Sequence, residues 1–372
     1  MKNFKRFTAL LLAVLMLAVF AGCHGKDEVA ATAGETSFTS AFYMCALINA
    51  DMEARTKVDE AKAAEKMVDT TSSASSTTST VEETDYFAEK IEDKTYSQWV
   101  KDTALATLKR FAYLEAKVKE LKLEIDKEEI ANYEYYAEYY WSSYGYQSLF
   151  EPNGVALETY KKYMAYSAYE DAYFDHLYGE GGEKEIAAAD IKAYLKDNYV
   201  IANALQGSLA DLKEAEATEL KDKFSKYETR LKNGEAFKKV YNEYNNVKEE
   251  DKTSSTTSTT DEPKPLDELA QIIGKEGTSY ASDYYETVKA MAVGEVKQYT
   301  PESDKNTLLL FKKGDIMADP YYLEEMDDTI RYDMKFKEFD KDVDAAAAKQ
   351  ELTTVAYAIN RFKVEKIAYP AA

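Results

Sequence analysis

Hydrophobic positions along the chain fall into two periods. From Ser97 onward, Phe111, Leu114, Val118, Leu121 and Ile125 recur at alternating three- and four-residue steps, which predicts an amphipathic helix with one apolar stripe. Asp126 followed by Glu129 resembles a capping box and opens a second helix over 127–140. A further helix is predicted over 157–177, closed by the glycines of 179–182. Asp190 is placed to cap a helix over 191–199. The period then changes. Residues 199–209, Tyr-Val-Ile-Ala-Asn-Ala-Leu-Gln-Gly-Ser-Leu, are a short apolar run of strand type. Leu220, Phe224, Tyr227 and Leu231 restore a helical face, with Asn233-Gly234 as its stop. Helices over 235–244 and 284–292 and a strand over 307–311 follow, with Val293-Gly294-Glu295-Val296 as a turn into another strand. Leu323, Met326, Ile330 and Met334 share a helical face, and 355–367 closes the chain as a helix. At the other end, 29–35 reads as a short strand and turn. Thr39 or Ser40 then caps a helix through Phe42, Leu47 and Ile48 to about Lys66. The expected class is α+β and mostly helical, with a small α/β module inside a discontinuous helical domain.

Two tracts interrupt this pattern. Residues 70–80 and 253–260 are almost entirely Ser and Thr and cannot bury apolar surface, so both read as inserted loops. The N-terminus differs again. Lys2, Lys5 and Arg6 precede an apolar run over 8–20 that ends in Ala21-Gly22-Cys23. A basic start, a short apolar core and small residues at its end describe a secretory signal peptide over 1–22. The ending is similar to the lipobox of bacterial lipoproteins, with Phe20 where that pattern carries Leu. The resemblance implies cleavage before Cys23 and a diacylglycerol on its thiol. An ordinary secreted chain is the alternative.

Charge and chemistry narrow the function. The net charge of −21 becomes −24 once the three basic residues of the leader are removed. That balance disfavours nucleic acid and anionic membrane surfaces as partners. Of the two cysteines, lipidation of Cys23 leaves Cys45 alone, so no intramolecular disulfide is available and a buried, inert thiol is expected on an apolar helix face. The 31 tyrosines stand out. Tyr133, Tyr135, Tyr136, Tyr139, Tyr140 and Trp141 make the helix from Lys127 aromatic on more than one face. One reading is a helix packed between neighbours. The other is a surface for apolar peptide segments, with Tyr133, Tyr136, Tyr140 and Trp141 as candidate anchors. No metal or cofactor is expected: the two histidines, His24 and His176, are far apart, and neither a phosphate-cradling loop nor a Gly-x-Ser-x-Gly elbow occurs. Asp126, Glu128 and Glu129 read as a solvated helix start, and His176 beside Asp175 as an ordinary helix residue.

The order of parts resembles the PrsA/SurA type of extracytoplasmic foldase, a parvulin-type prolyl isomerase family. The stretches that carry the likeness are 29–42, 105–129, 189–199, the Leu-Lys-Asn-Gly-Glu-Ala-Phe of 231–237, and the Ala-Met-Ala-Val-Gly-Glu-Val of 290–296. The resemblance implies a helical chaperone-like segment over 23–188, a parvulin-like module over 189–316, and a helical return over 317–372. Active parvulins carry a His on the first strand, another on the last, and a Cys or Asp between. Here the first strand offers Asn203 and Gln206, and the last only Leu and Phe, so no catalytic residue carries over. Rotation about X–Pro faces a barrier of ~20 kcal/mol and its catalysis needs polar groups around the twisted amide. The implied protein is a lipid-anchored chaperone at the outer face of the cytoplasmic membrane, binding unfolded or partly folded exported proteins. The alternatives are an active isomerase with an atypical site, such as Asn203 with a Tyr hydroxyl, and a surface-binding lipoprotein that is not a chaperone.

Overall fold

The computed structural model describes residues 28–70, 84–247, 265–275, 282–302 and 304–370. Cys23 and the leader therefore lie outside the described residues, as do most of the two Ser/Thr tracts. Among the described residues, no helix is long and apolar enough to cross a membrane. The protein is α+β and mostly helical. Described residues up to Glu183 and from Phe336 onward form one compact unit, and Lys184–Lys335 form another.

The first unit opens with a hairpin of β1 (Val29–Ala33) and β2 (Thr36–Thr39), whose turn needs the positive φ of Gly34. Helix α1 (Ser40–Thr70) follows at once, and the Thr39 hydroxyl accepts from Phe42 N at 3.2 Å as its cap. Its first four turns are almost wholly buried: Tyr43, Cys45, Leu47 and Ile48 are inaccessible. Helix α2 (Tyr96–Leu121), capped by Thr95, lays Trp99, Val100, Ala104 and Leu108 against them. Helix α3 (Lys127–Ser143) adds Ala137 and Trp141, and a short helix at Tyr146–Phe150 adds Phe150.

The long helix expected over 157–177 is two helices, α4 (Leu157–Met164) and α5 (Tyr166–Tyr178), joined at Ala165. Tyr163 and Tyr166, on either side of the joint, both pack on Phe42 and Phe111, while the ring a turn earlier goes elsewhere. Tyr160 packs on Phe150 and Trp141, whereas Tyr166 stacks on Phe111 with centroids 4.3 Å apart.

The second unit starts with α6 (Ala188–Asn198). Its N-cap is Ala187, and Asp190 lies in the first turn, where a carboxylate meets the helix dipole instead of capping it. The apolar run expected over 199–209 is β3 (Tyr199–Ser208). Helices α7 (Glu214–Lys232) and α8 (Phe237–Tyr244) come next, then β4 (Ala270–Gly274), α9 (Ser282–Ala290), β5 (Val296–Tyr299) and β6 (Thr307–Lys313). The sheet is antiparallel in the order β4-β3-β6-β5. Its central pair sets Ala204 opposite Phe311 and Ser208 opposite Thr307. Side chains alternate between two cores. Val200, Ala202, Leu309 and Phe311 meet α9, while Leu205, Leu308 and Leu310 meet α7 and α8. This double burial explains why β3 reads as one continuous apolar run. At Gly207 a β-carbon would stand 3.1 Å from the Phe224 ring of α7, so that ring would have to give way by a few tenths of an ångström to admit one. Strand β4 was not expected, because Ala-Gln-Ile-Ile-Gly is too short to signal a strand by period.

Residues 317–335, expected in the helical return, pack with this second unit. Asp319 Oδ2 accepts from Leu266 N at 2.7 Å, and the Tyr199 hydroxyl donates to Asp333. Nor is 323–334 one continuous face. A short helix at Tyr321–Glu325 ends at Met326, and α10 begins afresh over Asp327–Ala347.

The closing stretch 355–367 is not a single helix either. It follows a two-residue strand, β7 (Thr353–Thr354), and holds a short helix at Ala356–Asn360 and a 3₁₀ turn at Val364–Lys366. β7 pairs with β1, Ala31 opposite Thr354, and Val355 N donates to Ala30 O at 2.8 Å. Ala358, Ile359 and Val364 then enter the core built by α1 and α2. The two ends of the described chain thus complete one sheet and one core.

Candidate functional site

Helix α3 is built on Asp126, whose carboxylate accepts from Glu128 N at 2.8 Å. One face is anchored. Trp141 is only 6% exposed, its ring 6.0 Å from Phe150 and 5.9 Å from Tyr160. It is a core residue, so it drops out of the surface expected from the sequence. Tyr133 is half-buried, and its hydroxyl donates to Asp171 Oδ2 of α5 at 2.5 Å. Burial first, and then that carboxylate, push the Tyr133 hydroxyl up; burial likewise raises Asp171 above its usual range. Glu138 pairs with Lys161 of α4. These contacts fix the rotation of the helix about its axis.

The other face carries rings into solvent. Tyr135 is 62% exposed, Tyr136 42%, Tyr139 43% and Tyr144 63%. They do not stand alone. Tyr136 stacks on half-buried Tyr140 at 6.3 Å, and Tyr140 meets Tyr139 at 6.1 Å, Tyr144 at 5.6 Å and Tyr146 at 5.9 Å. Tyr146 in turn meets buried Phe150 at 5.6 Å. An unbroken chain of rings therefore runs from the core to the surface, with centroids at the spacing aromatic pairs favour. Such rings are held in place from beneath and lose little freedom when something binds on top. Of the anchors expected from sequence, Tyr136 and Tyr140 belong to this ladder, whereas Tyr133 is turned to Asp171 of α5. Tyr144 was missed. The signal for it was present, since Tyr136, Tyr140 and Tyr144 follow a four-residue step along one helix face.

No comparable constellation of reactive groups occurs among the described residues. Asn203 lies on β3 beside Ala270 of β4 and Lys312 of β6; it is 4% exposed, and its Nδ2 has no partner among them. On β6, Lys312 stands between buried Phe311 and half-buried Lys313. His176 sits on α5 with Nε2 3.2 Å from Glu183 Oε1. Cys45 is fully buried, and burial pushes its thiol well above the usual range, so it is not poised as a nucleophile. Among the described residues, no group of three or more His, Cys, Asp or Glu is placed to hold a metal.

No protein-family model and no curated protein matches the chain. Solved structures do. The chain is similar to the foldase protein PrsA from Streptococcus pneumoniae at 13% identity and a TM-score of 0.38, covering 69% of this chain and 82% of that one. It is similar to PrsA from Lactococcus lactis at 16% identity and a TM-score of 0.39, covering 69% and 86%. With PrsA from Bacillus subtilis it shares 19% identity at a TM-score of 0.31, covering 73% and 86%. Likenesses of this size do not fix a function.

Proposed function

We propose that the protein is an extracytoplasmic, lipid-anchored chaperone that holds unfolded or partly folded exported polypeptides on the tyrosine face of α3. The observation that carries this reading is the run of exposed rings, Tyr135, Tyr136, Tyr139 and Tyr144, backed by Tyr140 and Tyr146. Isolated exposed apolar side chains are ordinary, but a contiguous exposed patch marks a surface that something covers. Tyrosine suits weak, adaptable contact, because its ring takes apolar groups while its hydroxyl stays hydrated. The binding needs no cofactor, and the acidity of the chain argues against nucleic acid as the ligand. The anchor at Cys23 and the leader over 1–22 are part of the proposal and rest on the sequence alone. The parvulin-like module over 189–316 enters as scaffold, since its first and last strands bring no His.

Light scattering from a chemically unfolded client tests the holding activity: near-stoichiometric protein is expected to slow aggregation, and no slowing overturns the reading. For the anchor, Cys23→Ala is expected to abolish fatty-acid labelling and release the protein from membranes. Unchanged fractionation contradicts it.

A further inference from the structure

Along α2, on the side lined also by α1 and the last turns of α10, the first unit holds an open groove of about 1080 Å³. That exceeds the roughly 300–1,000 Å³ of ordinary small-molecule pockets. Leu105, Ala106, Ala348 and Leu352 give it an apolar wall, and the Trp99 ring borders it. Its charges are lopsided. Glu53, Glu92, Asp102, Glu170, Asp340 and Asp344 line it against Lys57, Lys109 and Arg110, with Lys94 holding Asp102 at 2.8 Å from outside the lining.

All three cations are already engaged by the protein. The Arg110 guanidinium meets Glu170 at 3.1 Å, Asp340 at 2.8 Å and Asp344 at 2.5 Å, one positive charge among three carboxylates. Lys109 Nζ donates to Ala348 O at 3.3 Å. Lys57 Nζ lies 5.6 Å from the Trp99 centroid and 3.7 Å from Glu53 Oε1. This last contact shows on a small scale what the groove prefers: an ammonium over an aromatic ring with a carboxylate beside it.

We propose that this groove seats an extended polypeptide segment in which Lys or Arg alternates with aliphatic residues. The surplus negative charge draws the cations, and the apolar wall takes the aliphatic side chains. A second copy of this strongly acidic chain carries the wrong sign to fit. Polypeptide as the ligand class rests on the reading above; the site and its charge preference do not depend on the tyrosine face.

The test uses the full chain and three fluorescent peptides of equal length, Lys/Leu, Gln/Leu and Glu/Leu, read by anisotropy. The Lys/Leu peptide is expected to bind best, and to weaken as salt rises from ~0.05 to ~0.5 M because the Debye length shrinks several-fold. Ala106→Trp and Ala348→Trp, both at exposed positions that fill the groove, are each expected to weaken it ~10-fold or more, the loss of about 1.4 kcal/mol. Glu53→Gln with Asp102→Asn is expected to weaken Lys/Leu several-fold and leave Gln/Leu unchanged. Tyr136→Ser with Tyr139→Ser is expected to spare Lys/Leu binding while impairing aggregation suppression, which separates failure of the groove from failure of the tyrosine face. Equal binding of Lys/Leu and Gln/Leu, or Lys/Leu binding untouched by both tryptophans, overturns the proposal. So does a self-association of the chain that Ala106→Trp abolishes.

Discussion

Two buried polar residues in α1 show how single side chains set the stability of the first unit. Asp51 is inaccessible, and three donors converge on it: Tyr96 Oη at 2.8 Å, Tyr369 Oη at 2.6 Å and Arg55 Nε at 3.0 Å. The Arg55 guanidinium is sandwiched between the rings of Tyr86 at 4.5 Å and Tyr369 at 4.1 Å. Asp51→Ala leaves the half-buried Arg55 cation and two hydroxyls without that carboxylate, at an expected cost of ~1–3 kcal/mol in denaturant melts. Tyr43 is the opposite case. Its hydroxyl is buried with no partner among the described residues, so Tyr43→Phe is expected to be neutral or stabilising, by up to ~2 kcal/mol. Burial also pushes that hydroxyl up to about 12 from the ordinary 10.0. The folded state therefore holds the proton longer than the unfolded chain. Its contribution is complete below pH 10 and is lost as the pH climbs towards and through 12, a slope that Tyr43→Phe should flatten in alkaline melts. None of this was legible in the sequence. Burial of Cys45 could be read from its apolar neighbours, but a partner such as Asp51–Tyr369 joins positions at opposite ends of the chain, and no local pattern marks it.

Among the elements, α3 was readable as aromatic and α-helical but not in its rotation. Period alone could not separate the ring that goes inward, Trp141, from those that go outward, because every face carries an aromatic residue. The anchors at Asp171, Phe150 and Lys161 decide it. Trp141→Ala is thus expected to cost ~3–5 kcal/mol. Serine at Tyr135 or Tyr139 should shift the melting free energy by less than ~0.5 kcal/mol, since exposed positions contribute little. Equal losses at all three positions would mean that the helix is packed on every side. In the second unit, Arg230 of α7 grips Glu235 at 2.6 Å and Glu243 of α8 at 2.7 Å. Its hydrogen bond, with that of Lys239, holds the Glu235 carboxyl down at about 2 against the ordinary 4.5. The folded state binds that proton later than the unfolded chain. This stabilisation is present above pH 4.5 and disappears as the pH falls towards 2, so Glu235→Gln should reduce the acid sensitivity of the unit.

At the scale of the whole molecule, the apolar run at 199–209 was sufficient to place the centre of the small sheet, and its pairing with β6 follows from two continuous apolar runs buried on both faces. The first unit was harder to read, because it closes through β7, two threonines with no strand signal of their own. Pairing with β1 and burial of Ala358, Ile359 and Val364 make the C-terminal segment part of the N-terminal core. Ending the chain at 351 is accordingly expected to unfold the first unit while the sheet of the second keeps its slow-exchanging amides; loss of both together would contradict two separately cored units. Function was legible only as a tendency: the tyrosine count pointed to contact surface, and the proposal above puts that surface on the exposed rings of α3. The most direct measurement is aggregation suppression of an unfolded client by the wild type and by a Tyr135→Ser, Tyr136→Ser, Tyr139→Ser, Tyr144→Ser quadruple variant of matched thermal stability. The variant is expected to lose most of the suppression; full suppression by it would place client binding elsewhere and contradict the central claim.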